Sequence, residues 1–420
     1  MQRANNIVSQ LLFYLVLIIA FLIPFGWSNI TYGLGLLAVF SVAKIFIQPP
    51  KWERRDFVRL FVLWLPVLIS FVSLIYTDHL DRGIFLLQVQ LALLLFPVVG
   101  YALKGYLSKR DVEIIFILFA VATVITMFLA YFNAFLKSVQ NGPEGFYFLL
   151  HPEGQWWRNY FFYDLFSNLH HPTYFSILQT ASLLILLRSP FLKNLKFKII
   201  LIFFFLITAY FTASRTGFVV TLIVVISAIM YKYKPRFLFK TGSISVGFSF
   251  ILFAVFFLQI NDMKMSKEGD EYRLFDRGVG ERIYLWQAAN HLSKGCVLFG
   301  HGVGDVQKEL KKEVHEGHSS LELETPAGNT HNQYIEYLLG SGLLGLVCFL
   351  FVVEYLLFCS VKKESLLLFG IIIIFYLHFI FETLLNRFTG VISFAFLISM
   401  AVLLVCVRET NDTSSRTFLD

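Results

Sequence analysis

The chain is 420 residues long, 57% hydrophobic and only 15% charged, with 48 Phe, 19 Tyr and a mean hydropathy of +0.68. Soluble domains carry roughly 25% charged residues, so this composition excludes a soluble enzyme and points to an integral membrane protein. A formal charge of +7 would suggest nucleic acid in a soluble protein, but here the basic residues form short clusters between apolar runs. They read as topology signals, and no nucleic-acid partner is expected.

Apolar runs of membrane-spanning length recur from end to end, without the ten-residue alternation of a membrane β-barrel strand. The expected fold class is therefore all-α, a polytopic integral membrane protein with about twelve transmembrane helices and a small helical extracytoplasmic segment. Spans are predicted near residues 7–25, 30–47, 57–75, 84–103, 113–132, 173–187, 197–211, 217–230, 243–260, 334–358, 365–381 and 390–407. The first ends in Pro24-Phe25-Gly26-Trp27 with no small-x-small cleavage site, so it reads as a retained helix rather than a signal peptide.

With the N-terminus in the cytoplasm, the inside loops carry Lys51, Arg54 and Arg55, then Lys104, Lys109 and Arg110, then Arg188, Lys193, Lys196 and Lys198. The next two carry Lys232, Lys234, Arg236 and Lys240, then Lys362 and Lys363. Every short basic cluster thus falls on one side, as the positive-inside rule requires, and a missed or extra helix would scramble the pattern. Both termini are expected in the cytoplasm and the protein in a bacterial inner membrane.

The outer face then receives residues 76–83, a loop of roughly forty residues at 133–172, the tight 212–215 turn and about seventy residues at 261–331. Within the last, helical patterns at 281–291 and 305–314 flank the breaker-rich Phe299-Gly300-His301-Gly302-Val303-Gly304. The expected organisation is spans one to nine within 1–260, including the outer loop near 133–172, a periplasmic helical loop at 261–331, spans ten to twelve at 332–408, and a disordered cytoplasmic tail at 409–420. Cys296, Cys348, Cys359 and Cys406 show no metal-ligand spacing, so neither a disulfide nor a metal site is expected.

Three outer-face residues stand out. Arg215, in Thr212-Ala213-Ser214-Arg215-Thr216-Gly217, lies between two spans, with Ser214 and Thr216 available to cap the next helix. An arginine at a span boundary commonly snorkels, but this one opposes the charge bias. A helix N-terminus with a guanidinium also suits a phosphate. Arg282, in Gly280-Glu281-Arg282-Ile283-Tyr284-Leu285-Trp286, reads either as a solvated charge or as a second anion ligand, with Arg158, Arg273 and Arg277 as competing cations.

His331 stands where the outer segment turns back into a membrane helix. Eleven residues of helix put Gly342 roughly 16 Å deeper, so Gly342 and Gly345 are expected inside the bilayer, where small residues permit close helix contact. A lone interfacial histidine is more often structural, but charge places this one on the side of Arg215 and Arg282. An imidazole can take a proton from a sugar hydroxyl, and two guanidiniums can hold a diphosphate.

Other signals are weaker. His170 and His171, with Asp164 and Glu153, fit no standard metal spacing, and Trp156, Trp157, Tyr160, Phe161 and Phe162 read equally as an interfacial belt or a sugar-stacking surface. The glycines at 300, 302 and 304 read as turn chemistry, since no strand precedes them. Glu336, His378 and Glu382 lie in or near spans and could pair with Arg387, line a cavity or form a proton relay.

His331-Asn332, nine residues, Gly342, two residues and Gly345, after a long outer loop, resemble the signature of the O-antigen ligase family within the ligase and polymerase superfamily of bacterial surface polysaccharides. Ser214-Arg215-Thr216-Gly217, the Arg282-to-Trp286 stretch and the 299–304 turn resemble that superfamily in its order. The detailed likeness covers about residues 208–350, while the N-terminal half matches only in span count and hydropathy. The resemblance implies a metal-independent glycosyltransferase with no cofactor. It would move a glycan from undecaprenyl diphosphate to a lipid A–core sugar, or another glycan acceptor, on the periplasmic face.

By that resemblance Arg215, Arg282 and His331 are catalytic, and Ser214, Arg215, Arg282, Trp286 and Asn332 bind substrate. An O-antigen polymerase or a protein O-oligosaccharyltransferase shares the carrier and fold. A lipid-linked oligosaccharide transporter is the alternative of another class, though the repeated halves it would show are not visible.

Overall fold

A computed structural model describes residues 2–26, 29–50, 53–140, 160–259, 277–317 and 328–416. Among the described residues every regular element is helical, since backbone polar groups in lipid must be satisfied within the segment. In chain order the helices are α1 (Gln2–Leu22), α2 (Ile30–Ile47), α3 (Arg54–Ser73), α4 (Leu80–Leu103), α5 (Lys109–Gln140), α6 (Tyr163–Phe166), α7 (Pro172–Arg188) and α8 (Leu195–Phe211). There follow α9 (Arg215–Tyr233), α10 (Pro235–Gln259), α11 (Arg277–Ser293), α12 (Val306–Gly317), α13 (Gln333–Lys362), α14 (Leu366–Phe379) and α15 (Phe388–Arg416).

Each predicted span coincides with a helix. Among the described residues nine are long and apolar enough to cross a membrane, and α7, α8 and α14, at 17, 17 and 14 residues, stand at the other three predicted positions. The protein is thus an all-α polytopic membrane protein. Its interior is built on α7, α14 and α15, whose residues are buried almost all round. Around them, the outer helices present Phe46, Ile75 and Leu258, 83%, 84% and 74% exposed. Lipid is the environment that suits such surfaces.

Side-chain bonds sort the loops into two ends. At one end Lys104 Nζ meets Asp56 Oδ2 at 2.5 Å, Lys198 Nζ donates to the Leu187 carbonyl at 2.7 Å and the Tyr231 hydroxyl to that of Glu364 at 3.1 Å. All join loops of the basic set. At the other end Tyr76 donates to the Phe299 carbonyl at 2.6 Å, His170 Nε2 to that of Pro24 at 2.8 Å and Asn332 Nδ2 to that of Ile380 at 2.8 Å. The charge-based sorting of loops therefore matches the packing.

The polar end carries a cap of α11 and α12. Asn290 ties α11 to the end of α10 through the Phe257 carbonyl at 2.5 Å, and Asp305 ties the loop before α12 to residues 77–79. The Asp305 carboxylate accepts from the N–H groups of Asp78 and His79, the Thr77 hydroxyl and His79 Nδ1, at 2.5–3.1 Å. Burial opposes its ionisation, yet these donors outweigh burial and hold the carboxyl below the usual range.

Three expectations are corrected. First, α13 is not a continuous helix past Gly342, whose φ of 67° and ψ of −164° break it, so the depth derived from an unbroken helix does not hold. Freed backbone groups are taken up by the glycine-rich turn: Leu343 N–H donates to the Val297 carbonyl at 2.7 Å and His301 N–H to that of Leu339 at 2.7 Å. A Cβ on Gly342 would lie 2.2 Å from the Leu298 backbone. The close contact is therefore with a loop, while Gly345 does face a helix, at Ile69 of α3. The turn reading of 299–304 holds, with Gly300 and Gly302 at φ 71° and 96°.

Second, α15 runs to Arg416, beyond the expected helix end near Glu409, because no Gly or Pro interrupts the polar segment. Third, Glu336 pairs with Asn386 and Thr330 rather than Arg387. Gly342→Val should destabilise the fold by about 2 kcal/mol or more, since only glycine populates that backbone region at low cost and the turn must withdraw. A melting curve in detergent showing no loss would exclude this lock.

Candidate active site

Ser214 caps α9, its hydroxyl accepting from Gly217 N–H at 3.2 Å. Gly217 lets α9 approach α7 closely, since a Cβ there would lie 2.3 Å from Ser176. The Ser176 hydroxyl in turn stands 3.3 Å from Ser214 Oγ and 3.4 Å from His378 Nε2. Arg215, exposed at the first position of α9, is thereby fixed beside the α7–α14 contact at His378, four residues before Glu382.

The segment leading to His331 is fastened from several sides. The Trp286 indole N–H on α11 donates to the Thr330 carbonyl at 2.9 Å, and the Thr330 hydroxyl to Glu336 Oε2 at 2.9 Å. Asn386 Nδ2 donates to the other Glu336 oxygen at 2.7 Å. Asn332 caps α13 by accepting from Ile335 N–H at 2.9 Å, and Leu385 N–H donates to Gln333 Oε1 at 2.7 Å. Residues 330–336 are thus stitched to the α14–α15 loop.

His331 itself has φ 47°, a conformation few side chains adopt and one common at functional sites. Its N–H donates to Asn329 Oδ1 at 2.8 Å, which holds that conformation.

Within this frame His331 Nδ1 stands 3.4 Å from Glu382 Oε1, within ion-pair distance but without hydrogen-bond geometry. The Glu382 side chain is 7% exposed and that of His331 39%. Burial opposes ionisation of Glu382, but His331, His171 and Arg282 together outweigh it and hold the carboxyl below its ordinary range.

His171 is pushed down, by desolvation first; Glu382 opposes this, while the positive fields of His331, Arg387 and Arg282 reinforce it. Desolvation also raises the Tyr163 phenol, with Asp164 and Glu382 reinforcing and Arg282 opposing. Arg282, half-buried on α11, therefore shares one electrostatic neighbourhood with Glu382, His331, His171 and Tyr163.

The structure brings His331 and Arg282 together about Glu382. The helix end that carries Arg215 is linked to His378 through Ser214 and Ser176. Trp286, 5% exposed, and Asn332, wholly buried, orient the His331 segment. Sequence reasoning treated Glu382 as a relay candidate and missed it as the partner of His331; an acid directly after a span, on the side of three candidate residues, was the available signal. Arg158 and Arg273 lie outside the described residues, as do Trp156, Trp157, Glu153 and the side chain of Arg277.

This arrangement can hold an anion at guanidiniums and take a proton at a carboxylate-supported imidazole. Residues 200–350, from α8 into α13, match the family model described as O-antigen ligase. The match takes in Arg215, Arg282 and His331 and ends before Glu382. No curated protein matches the chain.

Proposed function

We propose that this membrane protein, an enzyme of the O-antigen ligase and polymerase superfamily, transfers a glycan from undecaprenyl diphosphate to a lipid A–core acceptor on the periplasmic face of the inner membrane. The observation that carries the reading is the His331–Glu382 pair beside Arg282, at the end of the bundle opposite the basic loops. In this mechanism the acceptor hydroxyl oxygen attacks the anomeric carbon while His331 Nε2 takes its proton. The bond from that carbon to the diphosphate oxygen breaks, and its electron pair leaves with the carrier diphosphate. Arg215 and Arg282 bind that group and stabilise the charge it gains, while Ser214 fixes the helix end that presents Arg215.

Glu382 holds the imidazole from the Nδ1 side, and Trp286 and Asn332 position the backbone that carries it. The transporter alternative is weakened by how its candidate groups are used. Glu336 is engaged by Thr330 and Asn386, and His378 by the Ile374 carbonyl at 2.7 Å, so neither is poised for a relay along the bundle.

A deletion strain should show bare lipid A–core on a lipopolysaccharide gel, with polymer accumulating on the lipid carrier. Core capped by one repeat unit would assign the polymerase step instead. An unchanged glycan profile would overturn both and favour transfer to protein.

A further inference from the structure

At the end of the bundle opposite His331, α3, the last turns of α13, and α14 and α15 enclose a cavity of about 330 Å³. Arg54, Arg55, Arg59, Lys362 and Lys363 line it, and among the described residues no Asp or Glu does. Four of these cations are exposed at the rim, whereas the lining residues Leu63, Leu368, Val402 and Val405 are buried at 1–9%. Nine residues of helix separate Arg54 from Leu63, so the cavity deepens by about 13 Å from charged rim to apolar floor. Phe358 and Val58, both lining it, are 61% and 44% exposed, which opens its side to the bilayer.

The nearest buried acid, Asp56, does not cancel the rim. It is 1% exposed, accepts from Glu53 N–H at 3.0 Å, and is matched by Lys104 at 2.5 Å and Arg59 at 3.8 Å. A cationic rim over an apolar slot that opens to lipid is complementary to a lipid whose head is anionic. A free anion would leave the floor unfilled, and a zwitterionic head would bring its own cation to a rim where cations outnumber the flanking Glu53 carboxylate, which pairs with Arg55 at 2.9 Å.

We propose that this cavity binds one anionic phospholipid of the cytoplasmic leaflet, its phosphate among the four rim cations and an acyl chain along the floor. The basic loops assign this end to the cytoplasm, and basic pockets between membrane helices on that side suit such lipids. The bound lipid joins α13, whose other end carries His331, to α3 and α15. The proposal is independent of the glycan that the enzyme transfers.

The test is native mass spectrometry of the full-length protein in detergent, offered equal concentrations of phosphatidylglycerol and phosphatidylcholine. The expected result is one retained phosphatidylglycerol per chain, in roughly tenfold preference or more. Replacing Arg54, Arg55, Lys362 and Lys363 together with Ala should lower that preference roughly tenfold or more. Val405→Trp, which keeps every cation and fills the floor, should abolish retention. The proposal is overturned by equal retention of phosphatidylcholine, by displacement with millimolar inorganic phosphate, by preferential retention of undecaprenyl phosphate, or by wild-type retention in both variants.

Discussion

His331→Ala is expected to lower glycan transfer by about 10²–10⁴-fold, the usual contribution of a positioned general base, with membrane insertion unchanged. Insertion depends on the apolar spans, and the neighbouring segment keeps its fastening to Trp286, Glu336 and Ile380 without the imidazole. Glu382→Gln separates support from catalysis. Because the carboxyl is held below its ordinary range, it is ionised near neutrality and offers His331 a full negative charge. Its contribution to stability is present above the unfolded pKa and lost as pH falls through the depressed folded value.

Removing that charge should reduce kcat by less than His331→Ala does, leave the KM for donor unchanged, and remove the part of the low-pH loss of rate that follows protonation of Glu382. An unchanged pH profile in Glu382→Gln would reduce Glu382 to packing, and wild-type transfer by His331→Ala would remove the general base from the mechanism.

Sequence reading succeeded where one physical rule acts over many residues. Span length and basic clusters sorted the loops into the two ends that the packing shows, because each basic cluster adds an independent charge term, and contacts such as Tyr231 to Glu364 and Asn332 to Ile380 follow that sorting. Arg282 and His331 were placed on the same side for the same reason.

Glu382 was not, because an acid beside a span looks the same whether it faces another span or a histidine 51 positions earlier. Gly342 was read as a packing glycine inside a helix, since hydropathy does not register a break whose hydrogen bonds are made by a distant loop. Trp286 was expected by resemblance to bind substrate, and its burial and its bond to Thr330, which place it behind the His331 segment, leave no mark in the sequence.

The second large effect falls on the cations. Arg282→Ala should cost about 10²–10³-fold in kcat, comparable to removing one preorganised donor from a site where charge develops. Arg282→Lys should recover only part of it, because an ammonium lacks the planar fork that pairs with two phosphate oxygens.

A structural role makes a different prediction. Arg282 also helps to hold the Glu382 carboxyl down, so its loss could act only through the His331–Glu382 pair. In that case Arg282→Ala and Glu382→Gln together would be no worse than Arg282→Ala alone, and the KM for donor would not move. If Arg282 grips the diphosphate, the two losses instead add within about 0.5 kcal/mol, and discrimination between diphosphate-linked and monophosphate-linked donor falls. Arg215→Ala, on a different helix, should reproduce the loss of discrimination but not the change in pH profile. That pairing of outcomes would divide the diphosphate between α9 and α11 while leaving the proton to His331.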